Sequence, residues 1–254
     1  NFNAIHMRLI PNATQTSAMI EPDLSGYAIS NRITTVTQLP CNGGDNYKAH
    51  LEKRTIVLEG TIPVDCGEVE DFFSLLPHDE YFFAVFSALW KELGGTLQGK
   101  LRDGSAPANQ TAFATHLSAP LSEVIRDINK FSNNTMARQL FLTLGTTSGS
   151  PASIAHSTAA MQQWLAQQQL DFPALVLENG SGLSRTERIS PQHLAEILQH
   201  AAHSPFSAEL EASLPILGMD GTVKKRFKDS EIAGQAHLKT GTLDGVKSFA
   251  GYIH

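Results

Sequence analysis

The chain has little that would tie it to a membrane, to nucleic acid or to a redox centre. No apolar run in it approaches the roughly 20 residues of a membrane helix. Its first residues, Asn1, Phe2 and Asn3, carry neither the basic nor the apolar part of an export leader. Positive charge is scarce, with 19 Lys and Arg against 25 Asp and Glu and a net charge of -6. A nucleic-acid binder concentrates cations to neutralise phosphates, so neither DNA nor RNA is an expected partner. Internal repeats and low-complexity tracts are missing as well. Cysteine is reduced to Cys41 and Cys66. Their spacing fits neither a C-x-x-C redox pair nor a zinc knuckle, and leaves one disulfide or two free thiols.

What is present is an ordinary globular balance over 254 residues, 41% hydrophobic and 17% charged, enough to bury one or two cores. In the first 65 residues Ile5, Met7 and Leu9 alternate with His6 and Arg8, and Thr55 to Ile62 reads TIVLEGTI, both strand patterns. From Asp79 to Leu93 the spacing of Phe82, Phe83, Phe86, Leu89, Trp90 and Leu93 predicts a helix that Gly94-Gly95 stops. The Gly- and Pro-containing stretch Asp103 to Thr111 reads as a boundary. Beyond it, Leu121 to Ile128 and Met136 to Leu144 give two helical faces that meet at the polar break Ser132-Asn133-Asn134. Ser190-Pro191 opens another helix, as N-cap and first helical residue. Ala236 to Thr242 and Val246 to Ile253 predict two strands joined across Asp244-Gly245. The expected class is α+β, divided as a β-rich module at 1–65, a second module with an amphipathic helix at 66–114, and a larger domain at 115–254.

The chemistry-bearing residues lie in the last of these. Lys239-Thr240-Gly241 sits on a predicted strand just ahead of Thr242. An ammonium beside a small hydroxyl suits a carboxylate, and the glycine lets a substrate backbone approach the strand. Ser132-x-Asn134, taken alone, is a cap and turn between two helices as readily as a site. Serine, aspartate and asparagine in that spacing, followed by K-T-G, form two of the three marks of an acyl-transferring serine enzyme; the third is S-x-x-K. Between them Glu178 to Arg185 reads ENGSGLSR, and GMDGTVKKR precedes HLKTGTL.

Together these segments resemble the class C low-molecular-mass penicillin-binding proteins, the serine-type D-Ala-D-Ala carboxypeptidase/endopeptidases. The resemblance is strong over about residues 115 to 254 and looser before that. It implies a penicillin-binding, serine β-lactamase-like catalytic domain, a sheet flanked by helices, with smaller β-rich domains inserted into it. It also implies roles. Ser132 would shuttle a proton, Asn134 would hydrogen-bond the substrate amide, Lys239 and Thr240 would bind the terminal carboxylate, Gly241 would admit the peptide, and the Thr242 N–H would face the oxyanion. Expected partners are peptidoglycan stem peptides ending in D-Ala-D-Ala and β-lactam antibiotics. The expected compartment is the periplasm, where Cys41 and Cys66 would be bridged, and no cofactor is expected.

Two departures stand out. Glu178 and Asn133 replace aspartates of the family pattern, and no lysine has a serine three residues before it. The nucleophile is therefore expected outside this sequence, as are the remaining strands and the helix of the catalytic domain. A member that binds peptidoglycan without cleaving it is the alternative. Rival sites are weaker. His193, Glu196, His200 and His203 share a predicted helix without an H-E-x-x-H pattern, so no metal is expected. Gly180-Ser181-Gly182 is not a G-x-S-x-G elbow, and the run Lys224, Lys225, Arg226 and Lys228 reads as a solvated face.

Overall fold

The structure is a computed structural model that describes residues 3–37, 41, 46–105, 107, 109–146, 149 and 151–254. It divides into two compact units, Asn1–Thr111 and Ala112–His254. Both strands and helices are present in an α+β arrangement.

In the first unit, β1 (Ile5–Pro11) runs between β2 (Thr16–Glu21) and β6 (Val69–Phe73), antiparallel to both. The second sheet has β5 (Thr55–Pro63) at its centre, antiparallel to β4 (Tyr47–Glu52) and parallel to β3 (Ala28–Val36). The alternation in the sequence becomes the core. Ile5, Met7 and Leu9 of β1 are buried to within 1% exposure and cluster with Ile33, Ile56, Leu58 and Ile62 of the other sheet. Ordering along the chain does not separate the sheets: the division expected between residues 65 and 66 falls just before β6, which returns to pair with β1. A disulfide joins Cys41 and Cys66, whose Cα atoms are 5.4 Å apart, and closes the β4–β5 hairpin into a loop. Helix α1 (His78–Glu92) completes the unit, with Ala84 and Ser87 on its buried side.

The second unit is mainly helical: α2 (Leu121–Phe131), α3 (Asn134–Leu144), α4 (Ile154–Gln167), α5 (Pro191–Ala202) and α6 (Ser207–Ser213) precede the hairpin β7 (Ala236–Leu243) and β8 (Val246–Ile253). Asn133 caps α3 by accepting the Met136 N–H at 3.0 Å, and Ser190 caps α5 by accepting the His193 N–H at 3.1 Å. The hairpin keeps full register from Ala236 opposite Ile253 to Leu243 opposite Val246, with Asp244-Gly245 as the turn. Its inner face packs Ala236 and Leu238 against Leu217 and Val223. Among the described residues, no helix is long and apolar enough to cross a membrane.

Candidate active site

Ser132 is the residue on which α2 ends. Its backbone is left-handed, with φ 53° and ψ 47°, and its N–H closes on the Ile128 carbonyl. A non-glycine residue held there costs on the order of 1 kcal/mol, so its neighbours must enforce it. Lys130, two residues earlier, is one such neighbour. Its side chain is buried, and its ammonium donates to the Leu214 carbonyl and to Asp220 Oδ2, both at 2.6 Å. Burial pushes the Asp220 carboxyl up, but the Ile216 N–H at 2.6 Å and the Lys130 ammonium outweigh it and leave it below the usual carboxylate range. On the far side of the turn, Asn129 donates to Ser213 Oγ at 2.8 Å. The last turn of α2 is thus tied to the segment after α6 by side-chain bonds spanning 84 to 90 residues of sequence.

Lys239, mid-way along β7, reaches this turn. Its ammonium donates to Ser132 Oγ and to the Thr240 carbonyl, each at 2.7 Å. Burial lowers the Lys239 pKa from its ordinary value, because the charged form loses hydration there. The hydroxyl of Thr240 lies 3.3 Å from that of Thr222. Gly241 and Thr242 follow on the exposed end of the strand, and a Cβ on Gly241 would sit 2.7 Å from Ser248 Oγ. Asn134, the first residue of α3, donates from Nδ2 to the Ser181 carbonyl at 2.6 Å. The structure therefore brings Ser132 and Lys239 into direct contact, and ties Asn134 to the ENGSGLSR segment.

That segment is a compact loop built by its own polar groups. One carboxylate oxygen of Glu187 accepts the N–H groups of Glu178, Asn179 and Gly180 at 3.2, 2.9 and 3.0 Å. Asn179 Oδ1 accepts both the N–H of Ser181, at 2.8 Å, and its hydroxyl. Gly180 has φ +67°, and a Cβ there would meet Phe141 Cβ at 2.4 Å, so glycine is required on both counts. Arg185 then donates to the Asp244 carbonyl at 2.7 Å, fastening the loop to the hairpin turn. A similar restriction applies at Gly221 in GMDGT, where φ is +54° and a Cβ would lie 2.7 Å from the Lys130 carbonyl. Beside it opens a groove of about 740 Å³ lined by Arg126, Lys130, Phe131, Asp220, Gly221 and Thr222. Thr240 meets this groove through Thr222, and neither Ser132 nor Lys239 lines it.

Of the groups that build the site, Lys130 and Glu187 carry no mark in the sequence of their roles. The one available signal for Asp220 is its place in GMDGT. The helix with His193, His200 and His203 does not gather its imidazoles: His193 stacks on Phe172, His200 meets the edge of Trp164, and His203 Nδ1 bonds the Gln199 carbonyl. Lys224, Lys225, Arg226 and Lys228 are exposed.

The profile of the D-Ala-D-Ala carboxypeptidase 3 (S13) family matches residues 2–254. The chain belongs to that family. Among its relatives are the D-alanyl-D-alanine carboxypeptidase of an Actinomadura species, 28% identical over 207 residues, and the D-alanyl-D-alanine carboxypeptidase DacB of Haemophilus influenzae, 29% identical over 184. These alignments cover 78% and 71% of this chain but 38% of each relative. The chain thus spans about two-fifths of the length of the curated relatives it matches. In three dimensions it is similar to penicillin binding protein 4 (dacB) from H. influenzae, with a TM-score of 0.72 at 23% identity over 99% of this chain and 56% of that one. The same relative complexed with a novel β-lactam gives a TM-score of 0.71. The fold of the family member is the penicillin-binding fold, and the family is one of peptidases, hydrolases by class.

Proposed function

We propose that the protein carrying this chain is a serine-type D-Ala-D-Ala carboxypeptidase/endopeptidase that cleaves peptidoglycan stem peptides through an acyl-enzyme and is acylated by β-lactams. The observation that carries the reading is the 2.7 Å bond from the Lys239 ammonium to Ser132 Oγ, which joins the two family motifs at one point. With its lone pair engaged by the ammonium, the Ser132 hydroxyl is oriented to donate its own proton. The nucleophile is a Ser-x-x-Lys serine outside these 254 residues, since no lysine here has a serine three positions before it.

In the reaction so proposed, the serine oxygen bonds to the carbonyl carbon between the two D-Ala residues as its proton passes to the neighbouring lysine. The tetrahedral oxyanion takes the Thr242 N–H as one donor, a type of contact whose loss costs about 3–4 kcal/mol in serine enzymes. The C–N bond then breaks as Ser132 hands its proton to the leaving D-Ala nitrogen and takes in its place the proton that the lysine accepted from the nucleophile, and water later releases the acyl group. Lys239 and Thr240 hold the terminal carboxylate, Gly241 leaves room for the peptide backbone, and Asn134 Oδ1 accepts the substrate amide while its Nδ2 holds Ser181. The Cys41–Cys66 bridge supports export to an oxidising compartment, the periplasm.

The test is covalent labelling. Full-length protein incubated with a fluorescent penicillin should gain one adduct on a Ser-x-x-Lys serine, and Lys239→Ala should slow that acylation by about 100-fold, the worth of a charge-assisted hydrogen bond. An adduct on Ser132, Ser181 or Ser184 would overturn the assignment of roles. No adduct at all would favour a peptidoglycan-binding member without activity.

A further inference from the structure

Away from Ser132 the hairpin makes a second polar junction. His237 of β7 and His254, just past β8, come together over Glu211 of α6, and one ligand atom from each residue lies within 4.8 Å of the other two. His254 Nε2 is 2.6 Å from Glu211 Oε1, and the two imidazoles meet edge to face with centroids 5.7 Å apart. His237 Nδ1 lies 3.1 Å from the Glu211 backbone carbonyl. A carbonyl only accepts, so Nδ1 carries the proton and the lone pair of the neutral ring is on Nε2. An imidazole whose second nitrogen is pinned to a carbonyl in this way is the usual form of a metal-ligating histidine.

We propose that Glu211, His237 and His254 form a site for a zinc-class divalent cation. Two imidazole nitrogens and one carboxylate oxygen are the donor set of borderline first-row metals rather than of magnesium or calcium, which favour oxygen ligands throughout. Zinc bonds to these atoms run about 2.0–2.2 Å, so two ligands of a tetrahedral site stand about 3.4 Å apart. Ligand atoms that lie within 4.8 Å of one another reach that spacing with a movement on the order of 1 Å, within reach of exposed His254 and half-buried Glu211. Entry of the cation replaces the contact between Glu211 Oε1 and His254 Nε2 with a metal bond to each atom, and any proton held between them leaves to solvent. A fourth position is left to water. Among the described residues, no other cluster of His, Cys, Asp and Glu meets this geometry.

The place of the site gives it a use. His237 and Lys239 are two residues apart on β7 and share one face of the strand, about 7 Å along it. A cation bridging α6 to β7 and the end of β8 fixes that strand against α6, whose Ser213 is tied by Asn129 to the end of α2, where Lys239 meets Ser132. The cation is structural here, and the inference does not depend on the peptidase reading.

The experiment uses untagged full-length protein stripped with EDTA, then titrated calorimetrically with ZnCl2 and analysed for bound metal after dialysis. One zinc per chain is expected, with a rise in Tm on addition. His254→Asn, on an exposed residue, and Glu211→Gln should each weaken binding at least 10-fold, and their combination should abolish both retention and the Tm rise. The circular dichroism of each variant checks that it folds. Absence of stoichiometric zinc in the wild type, or zinc retained at full stoichiometry by the folded double variant, overturns the proposal.

Discussion

In the first unit, aliphatic side chains from both sheets meet in one cluster, with Ile5, Met7, Leu9, Ile56 and Leu58 no more than 1% exposed and a disulfide closing the hairpin beside them. In the second, the buried apolar residues are dispersed, with Leu217, Val223 and Ala236 against the hairpin and Ile128, Phe141, Leu165, Phe172 and Leu214 among the helices and loops. What fastens the second unit is a set of polar cross-ties: Lys130 to Asp220, Lys239 to Ser132, Asn134 to Ser181, Arg185 to the Asp244 carbonyl, and Tyr252 to the Leu198 carbonyl at 2.8 Å. Apolar burial is non-directional and tolerates small shifts, whereas a hydrogen bond weakens steeply with distance and angle. Among the described residues, the first unit coheres through one apolar cluster, and the second adds directional ties that place a few polar atoms.

Three changes sharpen this contrast. Leu9→Ala removes a side chain with 0% exposure from the shared core and should cost about 3 kcal/mol, within the about 2–5 kcal/mol of such truncations. Hydrogen exchange should accelerate through β1, β5 and β6 and leave α2 and β7 protected; equal loss in both units would erase the distinction. Lys130→Ala should cost about 2 kcal/mol, short of the about 3–5 kcal/mol for breaking a fully buried pair because the Asp220 side chain is 37% exposed. Exchange should rise at the C-terminal turn of α2 and around Gly221, with acylation slowed. Unchanged protection there would show that the αL turn is held by something other than Lys130.

The smallest effect is the response to acid. The Asp220 carboxyl titrates below its unfolded value, so between the two values the folded state binds fewer protons and stability rises with pH. Its contribution is complete above about pH 4 and is lost as pH falls through the lowered value. Given solvent screening at Asp220, the change is under about 1 kcal/mol. It should appear as an acid shift of the urea midpoint in the wild type that Asp220→Asn flattens.

The sequence already contained the local grammar of the site. The break at Ser132-Asn133-Asn134, the Ser190 cap and the Asp244-Gly245 hairpin are legible because capping and turn chemistry act over three or four residues. Helix α4 was not legible: Ile154 to Gln167 is rich in alanine and glutamine, and its apolar periodicity is faint. The parallel pairing of β3 with β5 has no local signature, because nothing in either strand specifies which neighbour it will meet or in which direction. Lys130 reads as a solvated helix residue, and only a partner 90 positions later makes it a buried one. The meeting of Glu211, His237 and His254 is hidden in the same way: His237 and His254 are 17 residues apart, and the hairpin register brings them side by side.

The left-handed backbone of Ser132 has a consequence for how this molecule would change under artificial selection. At φ 53° a glycine or an asparagine is more comfortable than a serine, so a library screened for heat tolerance alone should enrich those residues at position 132. Each removes the hydroxyl that Lys239 holds. On the proposed role of Ser132, heat tolerance and turnover compete at a single codon, and survivors of such a screen would be the better-folded and the poorer catalysts.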